Sequence, residues 1–146
     1  MTSAERLSHD LMALRVAQEL RPGTVVNLGV GLPTLVANYV PVAGSILLHS
    51  ENGLAGYGPS PQRGQENPNL VNAGGQMVTL LPGASFMNHS ESFSVIRGGH
   101  IDLAVLGGLQ VSEHGDLASW LMPGRTLGGP GGAVDLASGA SRVIAM

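Results

Sequence analysis

One carboxylate, Glu51, has the surroundings that covalent chemistry asks for. Ser45 to His49 reads as a short buried strand that runs directly into Ser50-Glu51-Asn52-Gly53, a polar, turn-forming stretch. Open α/β sheets bind ligands outside the carboxyl ends of their strands, so a carboxylate placed there is aimed into a crevice. An ordinary turn carboxylate, capping a helix or facing water, is the commoner occupant of such a position. Two glycine loops accompany it, Gly29-Val30-Gly31 after an apolar run and Gly128-Gly129-Pro130-Gly131-Gly132 near the end of the chain. Backbone amides in such loops can hold an anion or line an oxyanion hole, and tight strand-to-helix turns use the same glycines. The first loop lacks the third glycine of a dinucleotide fingerprint, and no acidic residue follows at the right strand end.

Other chemistries fall away on residue type. There is no cysteine, hence no thiolate nucleophile, zinc thiolate site or disulfide framework. All seven basic residues are arginine, which removes Schiff-base chemistry and the Walker A lysine. The histidines at 9, 49, 89, 100 and 114 show no metal-ligand spacing, so no metal site is expected. Ser85 and Ser90 sit in no GxSxG elbow. Arg97, ahead of Gly98-Gly99, reads as a structural salt-bridge partner, and Trp120 as core or interface packing.

The elements that would position Glu51 follow from hydrophobic period and turn residues. Thr2 and Glu5 have capping-box spacing, and Leu7, Leu11, Met12 and Leu14 predict one face of a first helix that ends at Arg21-Pro22-Gly23. Thr24–Leu28 predicts a strand, Pro33 opens a helix over Leu35–Tyr39, and Ser45–His49 returns as a strand. That rhythm signals a parallel sheet. Gly53–Asn69, rich in glycine and proline, reads as a functional loop. Further strands are expected at Met77–Leu81, Leu103–Leu106, Leu109–Ser112, Leu117–Leu121 and Val143–Met146. A helix is expected at Ser90–Arg97, a hairpin turn at Glu113–Asp116, and a short helix after the second glycine loop. The fold class is therefore α/β, an open, mostly parallel sheet flanked by helices.

Composition fits one domain over residues 1–146. Hydrophobic residues are 43% and charged residues 12%, the latter about half the usual share, which excludes a disordered chain. Glycine (22) and proline (9) together make about a fifth of the chain, so tight backbone is used heavily. A net charge of −3 with no basic run argues against nucleic acid as a partner. With no signal-type apolar core and no membrane-length apolar stretch, the chain reads as cytoplasmic.

Five segments then resemble, in order and spacing, the family I coenzyme A transferases. They are Ser50-Glu51-Asn52-Gly53, Asn27 through Thr34, Leu81 through Ser85, Ile96 through Leu103 and Gly131 through Leu136. The chain is similar to the B (β) subunit of 3-oxoacid coenzyme A transferases over nearly its whole length. The resemblance implies Glu51 as a nucleophile that forms a glutamyl-CoA thioester. It implies Asn27 and Gly132 as positions that supply or neighbour the oxyanion donors. It also implies Gly29, Gly31, Asn52, Gly53, Ser119 and Gly131 as positions of the CoA and acyl site. Coenzyme A is then a substrate, passed from an acyl-CoA (succinyl-CoA-like) to a 3-oxo acid such as acetoacetate or 3-oxoadipate, and no cofactor is needed. An A subunit would complete the site in an A2B2 heterotetramer. The chain departs from the family at Gly75, where lysine is usual, and near Gly128, where lysine is frequent. It departs again at Ser119 (usually Asn), Pro130 (commonly Met) and Arg125 (Lys), and it ends before the family's final segment. These departures define the rival expectation, a shortened, catalytically degenerate subunit acting as a binding or scaffold protein.

Overall fold

A computed structural model describes residues 6–42, 44–121, 124 and 129–146. The Thr2/Glu5 capping pair, Arg125 and Gly128 lie outside the described residues. The chain begins with helix α1 (His9–Ala17) and strand β1 (Val25–Leu28), then a 3-10 helix (Leu32–Tyr39). Strands β2 (Leu47–Ser50), β3 (Leu54–Tyr57) and β4 (Leu80–Phe86) follow, then helix α2 (His89–Arg97) and strand β5 (Leu103–Leu106). A small hairpin, β6 (Gln110–Val111) and β7 (Leu117–Ala118), precedes helix α3 (Ala133–Gly139) and strand β8 (Val143–Ala145).

Six strands form one sheet in the order β4-β3-β2-β1-β5-β8. The pairs β1/β2, β1/β5 and β5/β8 are parallel, while β3 runs antiparallel to both β2 and β4. The expected open, mostly parallel α/β sheet is what forms. Its central strands are Val- and Leu-rich and are buried along all or nearly all of their length (β1, β5), as strands covered on both faces must be. Alternate side chains part to the two faces. Val26, Leu28, Leu48, Leu103 and Val105 join Ala13, Val16, Leu20, Val36 and Ala37 under α1 and the 3-10 helix. Ala104 and Leu106 join Ile96, Ile101 and Leu136 under α2 and α3. Asn27 and His49, directly paired across β1 and β2, belong by parity to this second face.

Local signals explain most element ends. Ser8 caps α1, accepting from Leu11 N at 3.2 Å. Asn88 and Glu91 form a full capping box on α2, each side chain accepting from the other's backbone N–H at 2.9 Å. Arg97 is a structural partner as expected. Its Nε lies 2.7 Å from Asp135 Oδ1, tying α2 to α3, and its guanidinium sits over the Phe93 ring at 5.3 Å. The Glu113–Asp116 turn closes the β6/β7 hairpin, with Ser112 N donating to Asp116 O at 2.9 Å.

Several expectations need correction. The first helix buries Ala13 and Val16, while Leu7, Leu11 and Leu14 are exposed, so the inward face is the small-residue stripe rather than the leucine stripe. The close approach of α1 to the 3-10 helix favours small side chains there. The second helix is 3-10 in geometry and starts at Leu32. The segment after Gly53 opens with a fully buried strand, β3, whose Leu-Ala-Gly-Tyr sequence is too short and glycine-bearing to announce itself. The strand expected at Met77–Leu81 is displaced to Leu80–Phe86, an edge strand with Phe86 exposed. Trp120 is exposed and packs in neither core cluster, which removes the core alternative and leaves the interface one. Among the described residues no helix is long and apolar enough to cross a membrane.

Candidate active site

Glu51 follows β2 immediately, at the carboxyl end of the parallel strands, and opens onto a cleft of about 560 Å³. The cleft is lined by Gly29, Val30, Leu106 and Gly107, by Gly129 to Ala133, and by His89 and Phe93 of α2. Asn52, Ala73 and Ser119 complete its rim. The carboxylate and the second glycine loop are in direct reach: a Cβ on Gly132 would stand 3.5 Å from Glu51 Cγ and 3.2 Å from Phe93 Cζ. Glycine at 132 thus keeps the space over the carboxylate open.

The residues flanking Glu51 fasten a loop beside it. Ser50 Oγ accepts from Ala73 N at 2.9 Å, and Asn52 Nδ2 donates to Val71 O at 2.8 Å. Asn72, buried, organises that loop through its own Oδ1, which accepts from Gly74 N at 3.0 Å and Gln76 N at 3.1 Å. Ser50, Asn52 and the chain about 20 residues on therefore form one unit whose product is the placement of Ala73 against the cleft.

Beneath Glu51 lies a buried polar file. Asn27 Nδ2 meets His49 Nδ1 at 3.0 Å and approaches Glu51 Oε2 at 3.4 Å, while His49 Nε2 meets Ser92 Oγ at 3.1 Å. Asn27 and Ser92 are fully buried and His49 is 1% exposed. Asn27 Oδ1 and the Tyr57 hydroxyl are buried without a partner among the described residues. Burial, with the Glu51 charge adding to it, pushes the Tyr57 hydroxyl far up, so it stays protonated.

Burial pushes His49 down to about 4 from an ordinary value near 6.5. The unfolded chain then binds more protons than the folded one between these two values, so stability rises with pH across that window. Acidification from about pH 6.5 to 4 is expected to remove about 3 kcal/mol, with a limiting slope near 1.4 kcal/mol per pH unit. His49→Gln removes this part of the slope and leaves the carboxylate part; urea melts of both proteins at several pH values give the difference.

Of the residues singled out from sequence, Glu51, Asn52, Gly29, Ser119, Gly131 and Gly132 line the cleft, and Asn27 backs it. Gly31 and Gly53 do not line it: Gly31 is exposed at the start of the 3-10 helix, and Gly53 is buried against Met87. The Gly29 amide is already spent, donating to Val105 O at 2.8 Å, so it holds no anion. Glycine is favoured here because a Cβ would stand 3.0 Å from that same backbone oxygen, a tight contact. Sequence reasoning missed His49, Ser92, His89 and Phe93. A period-2 reading of β2 puts His49 on the Glu51 side of the strand, a usable signal; nothing in the sequence alone brings α2 beneath it. Among the described residues no group of three or more histidines and carboxylates is disposed to hold a metal ion.

The family model described as Coenzyme A transferase matches residues 9–146. The chain is 53% identical over 133 residues to the B subunit of a probable succinyl-CoA:3-ketoacid coenzyme A transferase of Bacillus subtilis, covering 91% of this chain and 62% of that one. It is also 53% identical over 147 residues to the B subunit of the 3-oxoadipate CoA-transferase of Pseudomonas putida, covering all of this chain and 68% of that one. The chain thus spans about two thirds of the length of these relatives. Among solved structures, an acyl-CoA transferase of Escherichia coli O157:H7, in a thioester complex with CoA, superposes with a TM-score of 0.70 at 23% identity. That match covers 99% of this chain and 25% of the other, and it supports the fold. With a family match over nearly the whole chain and half of its residues shared with named B subunits, this chain belongs to the coenzyme A transferase family.

Proposed function

We propose that this chain carries the nucleophile of a CoA-transferase that moves coenzyme A from an acyl-CoA, succinyl-CoA-like, to a 3-oxo acid such as acetoacetate or 3-oxoadipate. The observation that carries the reading is the meeting of Glu51 and Gly132 in one cleft at the carboxyl end of the sheet, with the Asn27 amide backing the carboxylate. A Glu51 oxygen attacks the thioester carbonyl, the C–S bond breaks, and a mixed anhydride and CoA thiolate result. The thiolate attacks the glutamyl carbonyl, expels the donor acid as its carboxylate and leaves a glutamyl-CoA thioester. The acceptor carboxylate attacks that thioester and releases CoA thiolate, which then attacks the acceptor's acyl carbon and restores Glu51. A carboxylate suits this sequence because its anhydride is activated enough for a thiolate to intercept, so one hard step becomes several easier ones.

Each attack on the glutamyl carbonyl develops negative charge on its oxygen. The Asn27 N–H faces that carboxylate and stabilises charge where it forms, and Gly132, beside the Glu51 side chain, is the neighbouring backbone position. Gly131, Asn52 and Ser119 at the rim contact the CoA or acyl portion, and the loop held by Ser50 and Asn52 shapes the acyl side. Gly31 and Gly53 contribute through the backbone turns they make rather than through contact. The named B-subunit relatives support a partner A subunit, and we expect it to complete the site in a cytoplasmic A2B2 assembly. The degenerate-subunit reading finds no support in a cleft whose carboxylate, amide and glycine wall converge.

The test is a borohydride trap on the chain assembled with its A subunit and incubated with acyl-CoA. Reduction of the glutamyl-CoA thioester turns Glu51 into an alcohol, a loss of about 14 Da read by peptide mass spectrometry. An unmodified Glu51 in a folded complex that binds CoA would overturn the mechanism.

A further inference from the structure

His49 is a buried imidazole for which the reaction sequence above has no use, yet it is pinned at both ring nitrogens. Nδ1 meets the Asn27 amide nitrogen at 3.0 Å and Nε2 meets the Ser92 hydroxyl at 3.1 Å. It does not line the cleft, so it touches neither CoA nor the acyl group. The Asn27 carboxamide between His49 and Glu51 has two orientations that fill the same space. In one, the N–H groups face both His49 Nδ1 and Glu51 Oε2 and Oδ1 is left unpaired, which is the arrangement present. In the other, the carbonyl oxygen faces the carboxylate and repels it. Either orientation leaves one end of the buried carboxamide unpaired among the described residues, so the groups facing the other end must hold the first orientation against the second. A neutral imidazole does this only as the tautomer with its proton on Nε2, because Nδ1 must then accept. Ser92, on the first turn of capped α2, supplies the acceptor that keeps the proton there.

We propose that His49, backed by Ser92, is the positioning residue of this site: it fixes the Asn27 carboxamide with an N–H turned toward the Glu51 carboxylate. The proposal deepens the function given above and rests on it for its kinetic consequence. His49 acts here as one acceptor and one donor in a fixed direction, and it transfers no proton. The groups facing it are Asn27 from β1 and Ser92 from α2, with Glu51 two residues on, just past the end of β2.

Two variants separate this role from proton transfer and from packing. His49→Gln keeps one acceptor and one donor on a neutral side chain, whereas His49→Leu keeps similar bulk and offers neither. In the assembled enzyme, the Gln variant is expected to form the Glu51 thioester within about threefold of the wild-type rate. The Leu variant is expected to lose roughly ten- to a hundredfold in kcat with little change in the KM for acyl-CoA. A Gln variant as slow as the Leu variant would mean that the imidazole itself does chemistry. A Leu variant as fast as wild type would mean that it does nothing for Asn27. Thermal melts of both variants report whether folding has intervened. Independently of turnover, nitrogen NMR of the histidine-labelled chain is expected to show the Nε2–H tautomer between about pH 5 and 8. The Nδ1–H tautomer would turn the Asn27 amide around and overturn the proposal. Absence of any thioester on the wild-type enzyme would instead refute the transferase mechanism, with the tautomer still deciding the role of His49.

Discussion

Glu51→Gln is expected to reduce CoA transfer by about four orders of magnitude, equivalent to about 5.5 kcal/mol of transition-state stabilisation, while leaving the fold intact. The amide has the size and shape of the carboxylate but is no nucleophile toward a thioester, so the anhydride never forms. The side chain is only partly buried, and its one hydrogen bond among the described residues, from Asn27 Nδ2, is a long 3.4 Å, so little stability depends on its charge. A melting temperature close to wild type and a dead enzyme are therefore expected together. Glu51→Asp gives the graded counterpart. It keeps the carboxylate but withdraws it by one methylene from Asn27 and Gly132, and a misplacement of about 1 Å costs on the order of a hundredfold. Steady-state transfer by the assembled enzyme, beside thermal melts of the same preparations, checks both. A freshly purified Gln variant within about tenfold of wild type would remove the covalent role from Glu51, whatever the family.

The position proposed for the nucleophile is legible in the residues alone because two independent cues coincide at Glu51. One is a buried apolar run ending in a polar turn, the other the resemblance of Ser50 to Gly53 to a family motif. The parallel strands are legible for the same reason: Val25–Leu28 and Leu103–Leu106 are apolar runs bounded by turn residues and buried on both faces. Where a signal depends on tertiary partners, the sequence is mute. Leu54–Tyr57 contains a glycine and one aromatic, and it becomes a strand because β2 and β4 flank it. Leu11 and Leu14 of α1, with Leu7 just ahead of it, form the larger hydrophobic stripe, yet contact with the 3-10 helix selects Ala13 and Val16. The Asn27–His49–Ser92 file joins residues 22 and 43 positions apart. Only strand register and the docking of α2 bring them into line. Polar residues inside strands carry no pattern of their own, so such a file is invisible until the register is known.

The turn that aims Glu51 also carries the largest stability effect expected of a single methyl group. Gly53 adopts φ of 108° and closes the Ser50–Gly53 turn, with its N–H donating to Ser50 O at 3.0 Å. Its carbonyl accepts from Met87 N at 2.9 Å, so the turn is pressed against the end of β4. A Cβ at this position would be driven into the Met87 carbonyl oxygen, which is backbone and cannot swing aside. Gly53→Ala thus adds a backbone conformation that side chains rarely adopt to an overlap that only a shift of β3 against β4 relieves, for a total of about 3 kcal/mol or more. Gly83 separates the two causes, since it has φ of 89° but open space where its Cβ would go. Gly83→Ala is expected to cost only about 1 kcal/mol, the conformational part alone. In thermal melts the Gly53 variant should fall by roughly 10 °C and the Gly83 variant by about 3 °C. Because the Gly53 turn also sets where Glu51 and Asn52 point, its variant should lose Glu51 reactivity even below its melting temperature. The Gly83 variant, further back along β4, should keep it. Equal losses of stability in the two would show that backbone conformation, and not the press of Met87 on the turn, accounts for the glycine beside Glu51.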